Sequence, residues 1–308
     1  VAELEINILF NNNLSHIDLI QMVSPVYKLE AGDTLHLNVT FSGNIVHSES
    51  LLILASLVNF LRSKQVLVSI DIHGSSTYAS RVDFYKLIDI PFEERYARRD
   101  STGRFIELKA FDEDSLYRLQ DELNMVLYQK GTIAKEILEL LSYCICEIMD
   151  NVLVHSGLSS GWLAAQYFPA AKEIRLTIRD YGDGIHHSLT NQPGSAFMGL
   201  SEAEALDLCI QRGVTNGKGL GFGLFATSQF ILKNMGDLLV YSGNHYLFAQ
   251  QGEYNVREGE YCKGTVVSLR INTNIPVDYK EIMPENHSLP DDYDFFIEKF
   301  FGEDNELW

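Results

Sequence analysis

Residues 133–156, IAKEILELLSYCICEIMDNVLVHS, decide how the chain is read. The stretch holds no proline and no glycine. Ile137, Leu141, Ile145, Ile148 and Val152 recur at the three- and four-residue spacing of a helix that buries one face. Beside this stripe Glu147, Asn151 and His155 stand at i, i+4 and i+8, so they stack on successive turns along one edge. A carboxylate, a carboxamide and an imidazole in line beside a core-facing stripe suit a helix whose edge looks into a ligand site. The same spacing also fits the solvated flank of an ordinary amphipathic helix. The choice between the two rests on the residues that follow.

Three later stretches bear on it. EIRLTIRD (173–180) reads as a strand that delivers Asp180 at its end, followed by Gly182, Gly184 and Ile185. Alternating glycines let backbone approach a flat ligand closely, and a strand-end carboxylate can accept a hydrogen bond from an exocyclic amine. Gly217-Lys218-Gly219-Leu220-Gly221-Phe222-Gly223-Leu224 then places four alternating glycines directly before a helix. Free backbone N–H groups and the positive end of the helix favour an anion such as phosphate, and Lys218 adds a mobile cation. Gly264-Thr265 opens a last strand with a small residue and a hydroxyl. Asp183 reads either as part of this site or as the cap of a turn. His186 and His187 read as solvated loop residues.

The bulk properties narrow the class. At 308 residues the chain fits two domains, and 46% hydrophobic residues suffice for sizeable cores. A formal charge of −18 argues against binding nucleic acid by phosphate neutralisation and against docking on an anionic membrane. The four cysteines form no CxxC pair, and the most apolar run, Leu51–Leu61, is too short to span a bilayer. No signal peptide is visible, so a cytoplasmic protein with reduced thiols is expected.

Along the chain, strands are expected at 4–10 and 33–41, with a short helix from Ser15 to before Pro25. An apolar helix from about Ser50 to Lys64 leads into QVLVSIDI (65–72), a run apolar on both faces that implies a covered sheet of α/β type. A helix over 79–88 follows. The charged, aperiodic PFEERYARRDSTGR (91–104) marks a domain boundary. The second half reads as strand, helix from Asp112–Ser115 to Gln129, the Glu147 helix, and strands at 161–168 and 173–180. A loop through Gly199 comes next, then a capping box at Ser201–Glu204 opening a helix that ends at Gly213. The glycine-rich helix follows, and strands at 237–242, 245–250 and 264–271 close the domain. From Pro276 on, acids and aromatics dominate, as in an amphipathic segment that packs on the body or on a partner.

Together, Glu147-x-x-x-Asn151-x-x-x-His155, Asp180-x-Gly182-x-Gly184-Ile185, Gly219-x-Gly221-x-Gly223-Leu224 and Gly264-Thr265 resemble the ATP-binding domain shared by gyrase, heat-shock chaperone, histidine-kinase and mismatch-repair ATPases. All four boxes stand in the family's order, across about residues 104–272. The resemblance implies an α+β sandwich of the Bergerat type that binds ATP and Mg²⁺. It implies that Asn151 holds the metal and Glu147 polarises water or an acceptor hydroxyl. Asp180 with Thr265 would read the adenine amino group, and Gly182, Gly184 and Ile185 would form the adenine pocket. Lys218, Gly219, Leu220, Gly221, Phe222, Gly223 and Leu224 would wrap the phosphates, with His155 and Lys218 neutralising their charge. Phe222 stands where the family commonly has an aliphatic residue, and Phe197 is the nearby candidate for the phenylalanine of the lid.

No dimerising helical hairpin with a phosphoacceptor histidine precedes the domain, and Ser15-His16-Ile17-Asp18 matches that acceptor motif only superficially. FIELKAF…LYRLQDEL ahead of the Glu147 helix is more similar to the anti-sigma-factor serine kinases. Residues 1–95 resemble the STAS domain of anti-anti-sigma proteins, with His47-Ser48-Glu49-Ser50 where that family has Asp-Ser-Ser-Gly. Ser48 or Ser50 could accept phosphate, or Glu49 could supply a fixed negative charge. Capping of the helix by a serine is the plainer expectation. The expected organisation is an α/β protein with a STAS-like domain (1–95), an ATP-binding domain (104–272) and an acidic, aromatic tail (273–308). The expected activity is that of a Mg·ATP-dependent serine kinase or slow ATPase controlling a regulatory protein partner. An ATP-gated binding switch is the alternative, a histidine-kinase catalytic subunit is a lesser one, and homodimerisation stays open.

Overall fold

The chain begins with three strands, β1 (Glu3–Phe10), β2 (Thr34–Phe41) and β3 (Leu67–His73), joined through helices α1 (His16–Val23) and α2 (Ser48–Ser63). The computed structural model describes residues 1–43, 46–127, 135–155, 158–192, 194–215, 223–277 and 282. The side chains of 127, 135–140, 143, 154 and 155 lie outside that description. Ser15 and Asp18 close a reciprocal capping box that starts α1.

The three strands are parallel in the order β1-β2-β3. Both crossovers step the same way across the sheet, so right-handed connections put α1 and α2 on one face. Among the described residues, no helix or sheet covers the other face. Glu5, His36, Ser69, Asp71 and His73 are exposed there, and Leu67 is 62% exposed. The expectation of a sheet covered on both faces is thus corrected. Only Val66, Val68, Ile70 and Ile72 of the apolar run point inward, and no crossover in the reverse direction supplies a second layer of helix.

Helices α3 (Thr77–Arg81) and α4 (Phe84–Leu87) replace the single helix expected over 79–88. The break falls at Asp83, which adopts a left-handed φ of 64°.

The second half is a five-stranded antiparallel sheet in the order β4-β5-β6-β8-β7. Its strands are β4 (Phe105–Asp112), β5 (Ser160–Phe168), β6 (Glu173–Arg179), β7 (Asp237–Gln250) and β8 (Glu253–Asn272). Helices α5 (Glu113–Leu127), α6 (Lys135–His155) and α9 (Gly223–Asn234) cover one face, with Leu123, Ile145, Met149, Phe230, Leu176 and Ile178 in the shared core. Asp112 and Ser115 cap α5 reciprocally at 2.9 Å. Two shorter helices, α7 (Gly184–Thr190) and α8 (Glu202–Cys209), pack on the β7–β8 hairpin. The end of α8 at Cys209 falls short of the expected Gly213.

The hairpin departs from expectation as well. Gly243-Asn244 separates the strands expected at 237–242 and 245–250, but β7 passes through it with a register shift and Gly243 at φ +66°. The reversal comes at Gln251-Gly252, both left-handed (φ 56° and 82°), as a two-residue turn between right-twisted strands requires.

Helix α2 joins the two halves. It is buried on nearly every side because it lies between the two sheets, contacting β3 on one side and β5 and β6 on the other. One hydrophobic cluster accordingly runs from Ile8, Leu37 and Leu54 through to Ala164, Tyr241 and Val266. The layers follow as α5/α6/α9, five-stranded sheet, α1/α2, three-stranded sheet. Residues 91–104 between the halves contain no helix or strand. Among the described residues no helix is long and apolar enough to cross a membrane. The acidic, aromatic tail lies outside the described residues except for Val277 and the residues before it and for Ile282, which with Val277 is buried against the second half's core.

Candidate functional site

Strand β6 alternates. Ile174, Leu176 and Ile178 enter the core under α5, α6 and α9, while Arg175, Thr177 and Arg179 face the first half. Asp180 follows at the strand's end. Its N–H donates to the Thr265 carbonyl at 3.0 Å, which keeps it against β8. Gly264 (φ +77°) lies so close that a Cβ there would stand 2.3 Å from the Asp180 carbonyl oxygen and 2.7 Å from Tyr181 Cα. No other residue fits.

Asp180 is only 5% exposed. Its Oδ1 accepts from the Gly182 N–H at 2.7 Å, and the Thr265 side chain also bonds it. Burial pushes the carboxyl up to about 6, against the opposing pull of Gly182, Arg179 and Thr265. Among the described residues no cationic nitrogen forms an ion pair with it. At neutral pH it is therefore a largely ionised, buried acceptor, suited to a ligand that brings N–H donors.

Gly184 begins α7 at φ +79°, and Ile185 lies partly buried behind it. This segment was expected to be loop throughout. Asp183 stands at the N-cap of α7 but makes no capping hydrogen bond, and its carboxylate lies 3.6 Å from His187 Nδ1 and 3.9 Å from Lys263 Nζ. His187 is exposed, whereas His186 is half-buried with Nε2 2.7 Å from the Leu200 carbonyl.

Ser242 and Glu202, which sequence reasoning missed, tie the surrounding segments together. Ser242 Oγ accepts from the Ile185 N–H at 3.0 Å and donates to the Gly264 carbonyl at 3.1 Å. It thereby links the Gly184 segment to the turn that holds Asp180. Glu202 accepts from the Asn244 N–H at 2.8 Å and contacts His245 Nδ1 at 3.2 Å, fastening α8 to the hairpin beside Gly243. In sequence Ser242 reads as the last residue of a strand and Glu202 as a first-turn acid of α8. Neither carries a local sign of its distant partner. Replacing Ser242 with Ala leaves a buried N–H and a buried carbonyl short of one bond each. The expected cost is about 1–3 kcal/mol of stability, read by denaturant unfolding.

On the helical face, Glu147 is half-buried where α6 meets the start of α9. A Cβ at Gly223 would stand 2.8 Å from both Cβ and Oε2 of Glu147, so this glycine permits a contact that no larger residue allows. Leu224 packs against the core one residue on. Asn151 is exposed one turn beyond Glu147. The His155 side chain, and all of Lys218, Gly219, Leu220, Gly221 and Phe222, lie outside the described residues. Two groups are thus assembled: Asp180 with Gly182, Gly184, Ile185 and Thr265 at the sheet's end, and Glu147 with Gly223 at the α6–α9 junction.

The first half's acceptor candidates fall elsewhere. Ser48 and Ser50 are only 2% and 3% exposed, packed between the halves, so the acceptor expectation is corrected for this docked arrangement. Neither caps α2, whose N-cap is His47. Glu49 is buried and 3.5 Å from Arg175 Nη1, which also lies 2.9 Å from His47 Nδ1. His16 Nε2 is buried too, and desolvation lowers that ring's pKa. No protein-family model matches the chain, and no curated protein matches it.

Proposed function

We propose that the chain is a Mg·ATP-binding regulatory protein acting in the cytoplasm, a serine-kinase-like enzyme or slow ATPase that controls a partner protein. The observation that carries this reading is Asp180, a buried carboxylate with no ion-pair partner among the described residues, at a strand end where Gly264 lets backbone close in. A protein that keeps such a group buried bears its desolvation cost. An adenine amino group would offset that cost, with Thr265 assisting and Gly182, Gly184 and Ile185 shaping the pocket. The Lys218–Leu224 segment would hold the phosphates at the start of α9, aided by His155.

The donor set fits Mg²⁺ of the kind that phosphates largely coordinate. Asn151 offers one exposed oxygen, and among the described residues no cluster of three acidic, His or Cys ligands competes for the role. When bound, the ion would neutralise phosphate charge. Calorimetric titration tests the assignment. Asn151→Ala should weaken Mg·ATP far more than metal-free ATP, and equal losses for both would reduce Asn151 to a surface residue of α6.

A second reading, an ATP-gated binding switch with little turnover, draws support from the burial of Ser48 and Ser50, which leaves no acceptor exposed at that helix start.

A further inference from the structure

The residues on either side of Asp180 send their side chains out of the site and into the first half. Arg179 is wholly buried, yet it has no carboxylate against it among the described residues. Its Nη2 donates to Tyr27 Oη at 2.6 Å, and its guanidinium carbon lies 4.3 Å from the centroid of the Tyr181 ring. Its Nε and Nη1 have no hydrogen-bond partner among the described residues. Tyr181 in turn stacks on Phe60 of α2, with centroids 4.2 Å apart and planes 5° from parallel. Its hydroxyl stands 3.1 Å from Ser56 Oγ, one helical turn earlier. Tyr27 reaches Phe60 at 6.5 Å between centroids, which closes the group into a ring of four side chains. Two of the four belong to the strand end that carries Asp180, and two to the first half.

A buried cation held by ring faces and a single phenol has little in reserve. Each contact depends on geometry, and losing one exposes the charge to an apolar surround. The backbone of 179–181 therefore has its orientation set from behind by α2 and by the 3₁₀ turn that bears Tyr27 (Ser24–Lys28). Asp180 lies between the two anchored residues, and Gly264 presses on it from the β8 side.

We propose that the first half is part of the nucleotide site: Phe60, acting through Tyr181, and Tyr27, acting through Arg179, are positioning residues for Asp180. The inference rests on Asp180 being the residue that reads the nucleotide. Linkage then requires the converse, that a nucleotide held by Asp180 steadies α2.

The test uses the full chain and two substitutions. Phe60→Leu keeps an apolar side chain but removes the ring stack, and Phe60→Tyr keeps the stack. Mg·ATP affinity is measured by calorimetry, and hydrogen exchange of the backbone amides over 48–61 is followed with and without ATP. In the parent, ATP should slow exchange over that helix. Phe60→Leu should bind roughly 2- to 10-fold more weakly, the range expected for one aromatic pair, with the protection diminished, and Phe60→Tyr should recover both. If Phe60→Leu fails to fold, Ser56→Ala removes the contact to the Tyr181 hydroxyl, together with a bond to the Ile53 carbonyl inside α2, and should give a smaller loss of the same kind. Parental affinity in a folded Phe60→Leu chain overturns the proposal. So does ATP binding that leaves exchange over 48–61 unchanged. A parent that binds no ATP overturns the nucleotide reading itself, and this inference with it.

Discussion

Glu147→Gln is expected to retain Mg·ATP and to lose turnover by roughly 10²–10⁴-fold, the usual contribution of a general base. The amide keeps the size of the side chain, so the close contact with Gly223 at the start of α9 should survive. What disappears is a proton acceptor and a negative charge. That charge lies at the positive end of a helix, beside the loop assigned to the phosphates. Its removal lowers repulsion toward a polyphosphate, so ATP affinity should hold or rise while the rate falls. The two signs together distinguish a base from a binding residue. The measurement is phosphate release, or phosphate transfer to a co-purified partner, alongside calorimetric ATP binding. Equal rates in variant and parent would take Glu147 out of the mechanism. A parent without turnover in the presence of any partner would favour the switch reading, and the substitution would then alter only local electrostatics.

Much of the site's skeleton could be read from periodicity and spacing alone. The 3.6-residue stripe of 133–156 corresponds to α6, whose apolar residues Leu141, Ile145 and Ile148 are buried. The alternation of 173–180 corresponds to β6, and the Ser201–Glu204 capping box to the start of α8. These signals are local, as are the caps of α1 and α5. What escaped was set by distant contacts. Ser242 reads only as the end of a strand because its partners, Ile185 and Gly264, lie 57 and 22 positions away. Nothing in QVLVSIDI says that one face of β3 stays uncovered, because that follows from both crossovers running in the same direction. Ser48 and Ser50 look like acceptors or caps until the two halves close over them.

That closure explains the polar residues on the shared face of the five-stranded sheet. Glu173, Arg175, Arg270 and Asp237 form a ladder across β6, β8 and β7, with Glu173 Oε1 2.6 Å from Arg175 Nη2 and Asp237 Oδ2 2.6 Å from Arg270 Nε. His47 and Glu49 meet Arg175 from α2. Burial lowers the His47 pKa, and Arg175 adds to that effect while Glu49 and Glu173 oppose it. Half-buried ion pairs of this kind contribute little net stability once desolvation is counted, but they disfavour any other register of the helix on the sheet. The apolar contact between the halves comes from the Tyr181–Phe60 stack and the buried leucines of α2. Polar residues thus fix where α2 sits, and apolar ones hold it there.

Asp180→Asn should reduce ATP affinity by about 1–3 kcal/mol, or roughly 5- to 150-fold, the cost of mispairing a buried charged acceptor. The carboxamide keeps an oxygen to accept from the Gly182 N–H, so the loop should hold its shape. The half that becomes an amino group turns a donor toward the ligand's own donor. Stability should respond differently from affinity. Burial raises the native carboxyl from 3.8 to about 6, so between those values the folded chain binds more protons than the unfolded one. The parent therefore loses stability as pH rises through that window, and the loss is complete above about 6. Asp180→Asn abolishes this term and should be no less stable than the parent at neutral pH. Nucleotide binding runs the other way. An amine donor needs the ionised carboxylate, so parental affinity should fall as pH drops below about 6, while the variant's weaker affinity stays flat over the same range. Calorimetric titrations from pH 5 to 8, paired with denaturant melts, read both trends. Unchanged affinity in a folded Asp180→Asn chain would remove Asp180 from adenine recognition. A parental affinity that ignores pH across the window would mean that the ligand contacts the site without using the charge.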